Sequence, residues 1–162
     1  MGGQTERGGW VVALAEAEGL RWVLSHARMA WTQASARRAS VVRPGDRLVL
    51  YVARGAFHNP TRDRSQLLGL AEVTSPCGGS TGPSRSPGGR SWPGATFASR
   101  WPSRSAGGVP VRELVDRLSF IRRKEVWGQY FPSGLVALPS PDLRVMEAAL
   151  RRAAGPGAES RA

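Results

Sequence analysis

Cysteine and histidine are scarce in this chain of 162 residues, which limits the chemistry available to it. Cys77 is the only cysteine, and His26 and His58 are the only histidines. One cysteine excludes an internal disulfide and a cysteine-based zinc site, and two histidines are too few for a metal site without carboxylate help. Cys77 lies among prolines and glycines with no histidine close in sequence, which favours an inert thiol over a nucleophile. We therefore expect no metal and no cofactor.

Long apolar segments are also missing. No apolar run approaches the roughly 18 residues needed to cross a bilayer. Residues 1–9 are polar and rich in glycine, unlike the charged and then apolar pattern of a secretory signal. We expect a cytoplasmic protein with no membrane contact. The length suits one domain, which we place at residues 10–152 between a flexible N-terminus (1–9) and a flexible tail (153–162).

Lysine and acidic residues are few, whereas arginine is abundant. The chain has 23 basic and 12 acidic residues, a net charge of +11 and a pI of about 11.6, and Lys124 is its only lysine. A field of this sign attracts polyanions, and the planar arginine fork suits phosphate because it donates two hydrogen bonds at once. A GC-rich genome also produces an excess of arginine, so a generic basic surface is the alternative interpretation.

The spacing of apolar residues predicts a mixture of strands and helices. Predicted strands cover residues 10–14, 47–53, 65–74 and 135–138, and predicted helices cover 15–28, 110–120 and 141–150. Residues 32–40 could form a further short helix. A turn at 43–46 precedes the second strand, and a polar loop at 54–64 joins the second and third strands into a hairpin. Gly69 in the third strand predicts a bulge or a close backbone approach.

Residues 76–108 have a different composition, dominated by glycine, serine, proline and arginine and without any acidic residue. Such a composition buries too little apolar surface to offset chain entropy, so we predict disorder there. One hypothesis is out-of-frame reading of a GC-rich gene, entered near Cys77 and left near Gly107. The alternative is a natural insertion that supplies positive charge for phosphate contacts. That charge would come from Arg85, Arg90, Arg100 and Arg104.

Several segments, read together, resemble a known family. They are Ala30-Trp31, Gly45-Asp46 before Leu-Val-Leu-Tyr, Leu68-Gly-Leu-Ala-Glu-Val73, Phe120-Ile-Arg-Arg-Lys-Glu-Val-Trp-Gly128 and Leu135-Val-Ala-Leu-Pro-Ser-Pro-Asp142. Their order resembles the EVE domain, a PUA-like relative of the YTH readers of methylated adenine. The resemblance covers residues 10–73 and 109–150. It implies an α+β fold, a small curved sheet or open barrel with flanking helices. Family members have further strand sequence where 76–108 lies, so the sheet could be incomplete there.

The resemblance also implies a function. EVE domains are expected to accept a flipped, often modified, base in DNA or RNA, and no catalysis is expected of them. Trp31 stands where reader families place a pocket tryptophan. Stacking on an aromatic ring replaces the contacts that a flipped base loses, with a contribution of about 1–3 kcal/mol per base. The alternative for Trp31 is a core residue that caps the first helix. Ser25 could touch a base edge, although a helical face is its simpler location.

Basic residues supply candidate phosphate contacts at two places. Arg54, Arg62 and Arg64 lie on or beside the hairpin loop and could clamp phosphates, or they could belong to a solvated loop. Phe57 in that loop could stack on a base or anchor the loop to the core. Lys124 closes the densest basic run, 122–124, which lies next to aromatic residues. Such a run is more often a solvated face.

Two other classes of function compete with the base reader. An ASCH-like nucleic-acid or nucleoside hydrolase would need a general base, and Lys124, Asp63 and Glu72 show no telling spacing for one. A protein-interaction module would use the positive surface to meet acidic partners. The sequence leaves open which base is bound, whether the partner is DNA or RNA, and the oligomeric state.

Overall fold

A computed structural model of the chain describes residues 8–31, 37–56, 65–76, 84–85, 91–92, 94–102, 108–132 and 134–155. The strands are β1 Gly9–Leu14, β2 Arg28–Ala30, β3 Arg47–Val52, β4 Gln66–Val73, β5 Ser84–Arg85, β6 Ser91–Trp92, β7 Gly94–Pro102, β8 Val109–Pro110 and β9 Gly134–Leu138. The long α-helices are α1 Ala17–His26 and α2 Ser140–Ala154, and residues 37–39, within the segment 32–40 suggested as a short helix, are also helical. The 3₁₀ turns are Val111–Glu113, Val115–Arg117 and Lys124–Tyr130. Neither of these α-helices is long and apolar enough to span a bilayer.

A seven-stranded mixed sheet organises the described chain. Its strand order is β2-β7-β4-β3-β1-β9, β8 pairs with β4, and β5 and β6 form a separate pair. β1 and β3 run parallel, and the other pairs are antiparallel. The sheet curls into a half-barrel with helices beside it, which confirms the predicted α+β fold class.

The two central strands of the sheet, β3 and β4, have buried side chains on both faces, and each face of the sheet supports its own core. In β3, Val49 and Tyr51 belong to the cluster that α2 covers, whereas Leu48 and Leu50 belong to the cluster that α1 covers. This alternation follows from the period of two in a strand. We call the two groups the α2-side core and the α1-side core. The sheet separates the side chains of the α2-side core from those of the α1-side core.

A β-bulge in β4 confirms the irregularity predicted at Gly69. Leu50 pairs with Gly69 and the next residue, Tyr51, pairs with Leu67, so that Leu68 is the extra residue. The extra residue shifts the alternation of side chains along β4. As a result, Leu67 and Leu70 both point into the α2-side core although they are three residues apart.

β7 corrects the prediction of disorder for part of residues 76–108. This strand lies between β2 and β4 and pairs with both. Ala95 and Phe97 are buried in the α1-side core, and Thr96 between them is half-buried. The prediction was wrong for Gly94–Pro102 because the low apolar content of 76–108 as a whole hides four apolar residues in this strand, which hydrogen bonds to two neighbouring strands hold in place. Whether a shift of reading frame produced the segment stays a hypothesis.

The predicted helix at 110–120 is also corrected. The chain there forms β8 followed by two 3₁₀ turns, in which Leu114 N–H donates to Val111 C=O at 2.8 Å and Arg117 N–H donates to Leu114 C=O at 2.9 Å. The apolar spacing that suggested an α-helix also fits successive 3₁₀ turns, because side chains three residues apart lie on one side of such a turn. The four apolar positions are buried all the same: Val111, Leu114, Val115 and Leu118.

Candidate functional site

Trp31 is buried in the α1-side core, where the end of α1, β2 and β7 meet. The helix stops because Ala27 adopts a left-handed conformation (φ 49°), and the C=O of Ala27 accepts a hydrogen bond from Phe97 N–H at 3.0 Å. The following residues pair with β7 as β2, which leads directly to Trp31. The indole is 3% exposed and shares its cluster with Met29 and Phe97. This location is that of a core residue, and the role of Trp31 as a pocket wall stays a prediction.

The polar atom of Trp31 distinguishes it from an ordinary core side chain. Within the described part of the chain, its buried Nε1–H has no hydrogen-bond partner. Buried polar groups in native proteins are nearly always paired, and an unpaired donor costs about 1–3 kcal/mol. The side chain therefore offers an aromatic ring and one unused donor in the same place.

Ser25 lies at the exposed C-terminal end of α1, and its hydroxyl is engaged within the helix. Ser25 Oγ donates to Trp22 C=O at 3.1 Å and lies 2.9 Å from His26 Nδ1. The rings of Trp22 and His26 stack with centroids 4.9 Å apart and an angle of 22°. Trp22 is half-buried against the α1-side core, to which Trp31 also belongs. The spacing of Trp22 and His26, four residues apart on a predicted helix, is a signal from which this stack could be predicted.

Of the three arginines predicted to clamp phosphates, Arg54 is the one that lies among the described residues. Arg54 is exposed in the turn after β3, and its backbone N–H donates to Ser65 Oγ at 3.2 Å. The turn is shaped by Gly55, which has a φ of 95°. Phe57, Arg62 and Arg64 lie outside the described residues, so their roles stay predictions.

The basic run divides into two exposed arginines and one engaged lysine. Arg122 and Arg123 are exposed. Lys124 is half-buried, and its Nζ donates to Val115 C=O at 2.6 Å and to Leu118 C=O at 2.7 Å. Two of the three N–H donors of this ammonium are therefore used inside the protein. At most one N–H donor of Lys124 is left for the contact with nucleic acid that the sequence predicted.

Aromatic rings gather around Phe131 beside the basic run. Phe131 stacks on Tyr51 (4.6 Å, 17°) and meets Phe120 (5.6 Å, 81°) and Trp127 (6.1 Å, 79°) edge to face. Phe120 also meets Tyr130 edge to face at 6.3 Å. These are the favourable geometries for aromatic pairs. Phe131 is buried, whereas Phe120, Trp127 and Tyr130 are half-buried, so the cluster reaches the surface.

The candidate residues do not converge on a single place. Trp31 belongs to the α1-side core, whereas the aromatic rings beside the basic run belong to the α2-side core or pack against it. The sheet separates the two groups. Sequence order alone could not show this, because one step of strand register reverses the face on which a side chain lies.

Ionisable groups in these regions show one clear perturbation. Burial raises the pKa of the Tyr51 phenol, and a hydrogen bond with Ser65 partly opposes that rise. No group of three or more histidine, cysteine, aspartate or glutamate side chains that could hold a metal ion occurs among the residues that the structure describes. Of the groups suggested for hydrolysis, Lys124 points at backbone carbonyls, Glu72 is half-buried in β4, and Asp63 lies outside the described residues.

The fold is similar to solved structures, although no protein-family model and no curated protein matches the sequence. The Mmi1 YTH domain in complex with RNA has a TM-score of 0.59 and 12% identity, over 91% of this chain and 79% of that chain. A hypothetical protein from Leishmania major has a TM-score of 0.52 and 15% identity, over 90% and 98%. Rpa0253 from Rhodopseudomonas palustris has a TM-score of 0.51 and 14% identity, over 88% and 92%. These similarities show a YTH-like fold.

Proposed function

We propose that this chain is a non-catalytic module that binds nucleic acid and receives a flipped base beside Trp31. The buried Nε1–H of Trp31, which lacks a partner in the described chain, carries the proposal. The ring nitrogens and carbonyl oxygens of bases are acceptors that could satisfy this donor. An aromatic ring at the same place would replace the stacking that a flipped base loses.

The charge of the chain supports the same partner. A net charge of +11 gives any polyanion a favourable approach, and arginine supplies nearly all the positive side chains. Arg54 is exposed beside the loop on which Arg62 and Arg64 are predicted to contact phosphates. The fold is that of the Mmi1 YTH domain, which has been solved in complex with RNA. The proposal therefore combines a stacking residue with phosphate contacts, as base flipping requires.

The resemblance of the sequence to EVE domains refines the proposal. It favours the EVE branch within the YTH-like fold and a modified base over its unmodified parent. Methylated adenine and methylated cytosine are the modifications to test first. A methyl group on a base adds apolar surface without removing its ring acceptors, so an apolar recess around Trp31 would retain it more tightly.

Titration of oligonucleotides that differ only in one methylated base tests the proposal. We expect wild-type protein to prefer the methylated form and to bind more weakly as salt is raised. Trp31→Phe keeps an apolar ring but removes the N–H donor, so we expect about a tenfold loss of affinity for the preferred oligonucleotide. Phe97→Leu, which changes the same core, is the matched control and should retain the preference.

The outcome that contradicts the proposal is equally concrete. Thermal unfolding must first show that Trp31→Phe and Phe97→Leu are both folded. If wild-type protein shows neither salt dependence nor a preference for methylated bases, the chain is not a reader of this kind. If Phe97→Leu and Trp31→Phe lose affinity equally, Trp31 acts through packing and does not contact a base.

A further inference from the structure

Two exposed arginines on the α2 side follow a firmly held piece of backbone. In the first turn of α2, Asp142 is 1% exposed, and its carboxylate accepts Ser119 N–H at 2.7 Å, Phe120 N–H at 2.8 Å and the Ser119 hydroxyl at 2.9 Å. The next side chain, Ile121, is 1% exposed in the α2-side core. The chain is therefore fixed immediately before Arg122.

A second anchor follows immediately after the arginines. The ammonium of Lys124 donates to the carbonyls of Val115 and Leu118, which ties the start of the last 3₁₀ turn to the preceding one. Arg123 N–H donates to the Tyr130 hydroxyl at 3.0 Å, which holds the middle of the segment. The backbone of Arg122 and Arg123 is thus held at both ends while their side chains are exposed. Groups held in advance lose less entropy when they bind a ligand.

Two aromatic rings next to the arginines reach the surface. No residue of Lys124–Tyr130 is buried, although the segment contains Trp127 and Tyr130. Both rings are half-buried, and Trp127 rests edge to face on Phe131. Partly exposed ring faces therefore lie in the segment that follows the two exposed arginines.

We propose that Arg122, Arg123, Trp127 and Tyr130 form a second nucleic-acid contact, which binds a single strand through its phosphates and base faces. The guanidinium groups pair with phosphate oxygens, and the rings stack on bases without sequence preference. This proposal rests on the proposed function in that the chain binds nucleic acid. It does not depend on Trp31, which lies across the sheet. A strand long enough to pass an edge of the sheet would reach both places.

Asp142 and Glu147 do not offset the charge of Arg122 and Arg123, because both carboxylates are engaged elsewhere. Asp142 binds backbone, and the carboxylate of Glu147 is paired with the guanidinium of Arg47. Glu125 is the one acidic residue of the last 3₁₀ turn, and it is exposed. Flat rings beside arginines match the alternation of bases and phosphates in a single strand.

The test uses an unmodified oligouridylate RNA and the corresponding DNA strand over a salt series. Removing both guanidinium groups with Arg122→Ala and Arg123→Ala should lower the slope of log affinity against log salt by about 1.4, since each phosphate neutralised on a single strand contributes about 0.7. The double variant Arg144→Ala and Arg152→Ala removes the same charge from the exposed face of α2, and it should keep the wild-type slope. Glu125→Gln should bind more tightly than wild type, because a like charge near phosphate is removed.

Ultraviolet crosslinking to the same strand supplies a readout that needs no variant. Adducts should map to the peptide that contains Trp127 and Tyr130. The proposal is overturned if the two double variants show the same slope, or if adducts occur only elsewhere. It is also overturned if polyglutamate of equal charge competes as well as the oligonucleotide, because the surface would then be generically basic.

These outcomes separate the two proposals. If the Arg122 and Arg123 variant binds unmodified strands like wild type while Trp31→Phe loses the methylated base, only the second contact is wrong. If unmodified strands bind through the arginines but no modified base is preferred, only the reader function is wrong. Absence of salt-dependent binding in wild-type protein overturns both.

Discussion

The carboxylate of Asp46 accepts the indole N–H of Trp10 at 3.0 Å, which ties the turn before β3 to the second residue of β1. The same carboxylate accepts Gly8 N–H at 2.9 Å and Arg43 N–H at 3.0 Å, and Asp46 is only 8% exposed. Parallel strands have no short turn between them to set their alignment. This carboxylate therefore helps to fix the register of β1 against β3, on which both cores depend.

Replacing Asp46 with alanine should destabilise the fold. Three donors would lose a charged acceptor, two of them backbone groups in a partly buried place, so we expect the free energy of unfolding to fall by about 3 kcal/mol. Urea denaturation measures this change. Asp116→Ala removes an exposed aspartate from a 3₁₀ turn and should change stability by less than about 0.5 kcal/mol. Equal losses in the two variants would show that Asp46 has no special role.

A second prediction concerns strand β7, which folds into the sheet although the composition of 76–108 as a whole is typical of disorder. Phe97 is 5% exposed in the α1-side core, and Phe97→Ala should lower the free energy of unfolding by about 3–4 kcal/mol. Leu24→Ala, at a side chain that is 52% exposed, is the control and should have a small effect. If Phe97→Ala is as mild as the control in denaturant titration, β7 does not belong to the folded core.

Much of the sheet could be predicted from the sequence, and the reason lies in particular residues. β3 is dense in β-branched and large apolar side chains. The turn before it contains Gly45, whose left-handed φ of 92° favours glycine at this position. The helix predicted at 141–150 is confirmed by α2, which has Pro141 in its first turn. β7 could not be predicted in this way, since sequence rich in glycine, serine and arginine surrounds it and its pairing with β2 and β4 comes from distant segments.

The candidate site was predictable as a set of residues but not as an arrangement. Trp31 and the basic run were both singled out by the sequence, yet strand register places them on opposite sides of the sheet. Charge alone also could not show that the ammonium of Lys124 is turned towards carbonyls. Local sequence determines which groups are available, whereas long-range pairing determines which of them meet.

Lys124 provides a prediction that separates an internal role from phosphate binding. Lys124→Met removes two charged hydrogen bonds to Val115 and Leu118, so the free energy of unfolding should fall by about 2 kcal/mol. The salt slope of oligonucleotide binding should change less than it does in Arg122→Ala. If Lys124→Met instead leaves stability unchanged and lowers the slope by about 0.7, the lysine contacts phosphate as the sequence suggested.

Tyr51 predicts how stability depends on pH at the alkaline end. Burial raises the pKa of its phenol above the ordinary value of about 10, so above that pH the unfolded chain loses this proton while the folded chain keeps it. The unfolded state then binds fewer protons, and the free energy of unfolding falls as pH rises from about 10 through the folded pKa, by at most about 1.4 kcal/mol per pH unit. Tyr51→Phe keeps the stack on Phe131 and removes the titrating group.

The stability of Tyr51→Phe should therefore fall less steeply than that of wild type above about pH 10, as measured by urea denaturation at a series of pH values. Below that pH the two proteins should differ by a constant amount, because only the hydrogen bond with Ser65 has been lost. Tyr130→Phe removes the other tyrosine of the chain and separates the effect of Tyr51 from tyrosine ionisation in general. Parallel curves for wild type and Tyr51→Phe across the whole alkaline range would mean that the phenol titrates alike in the folded and unfolded states, against the burial seen between β3 and Phe131.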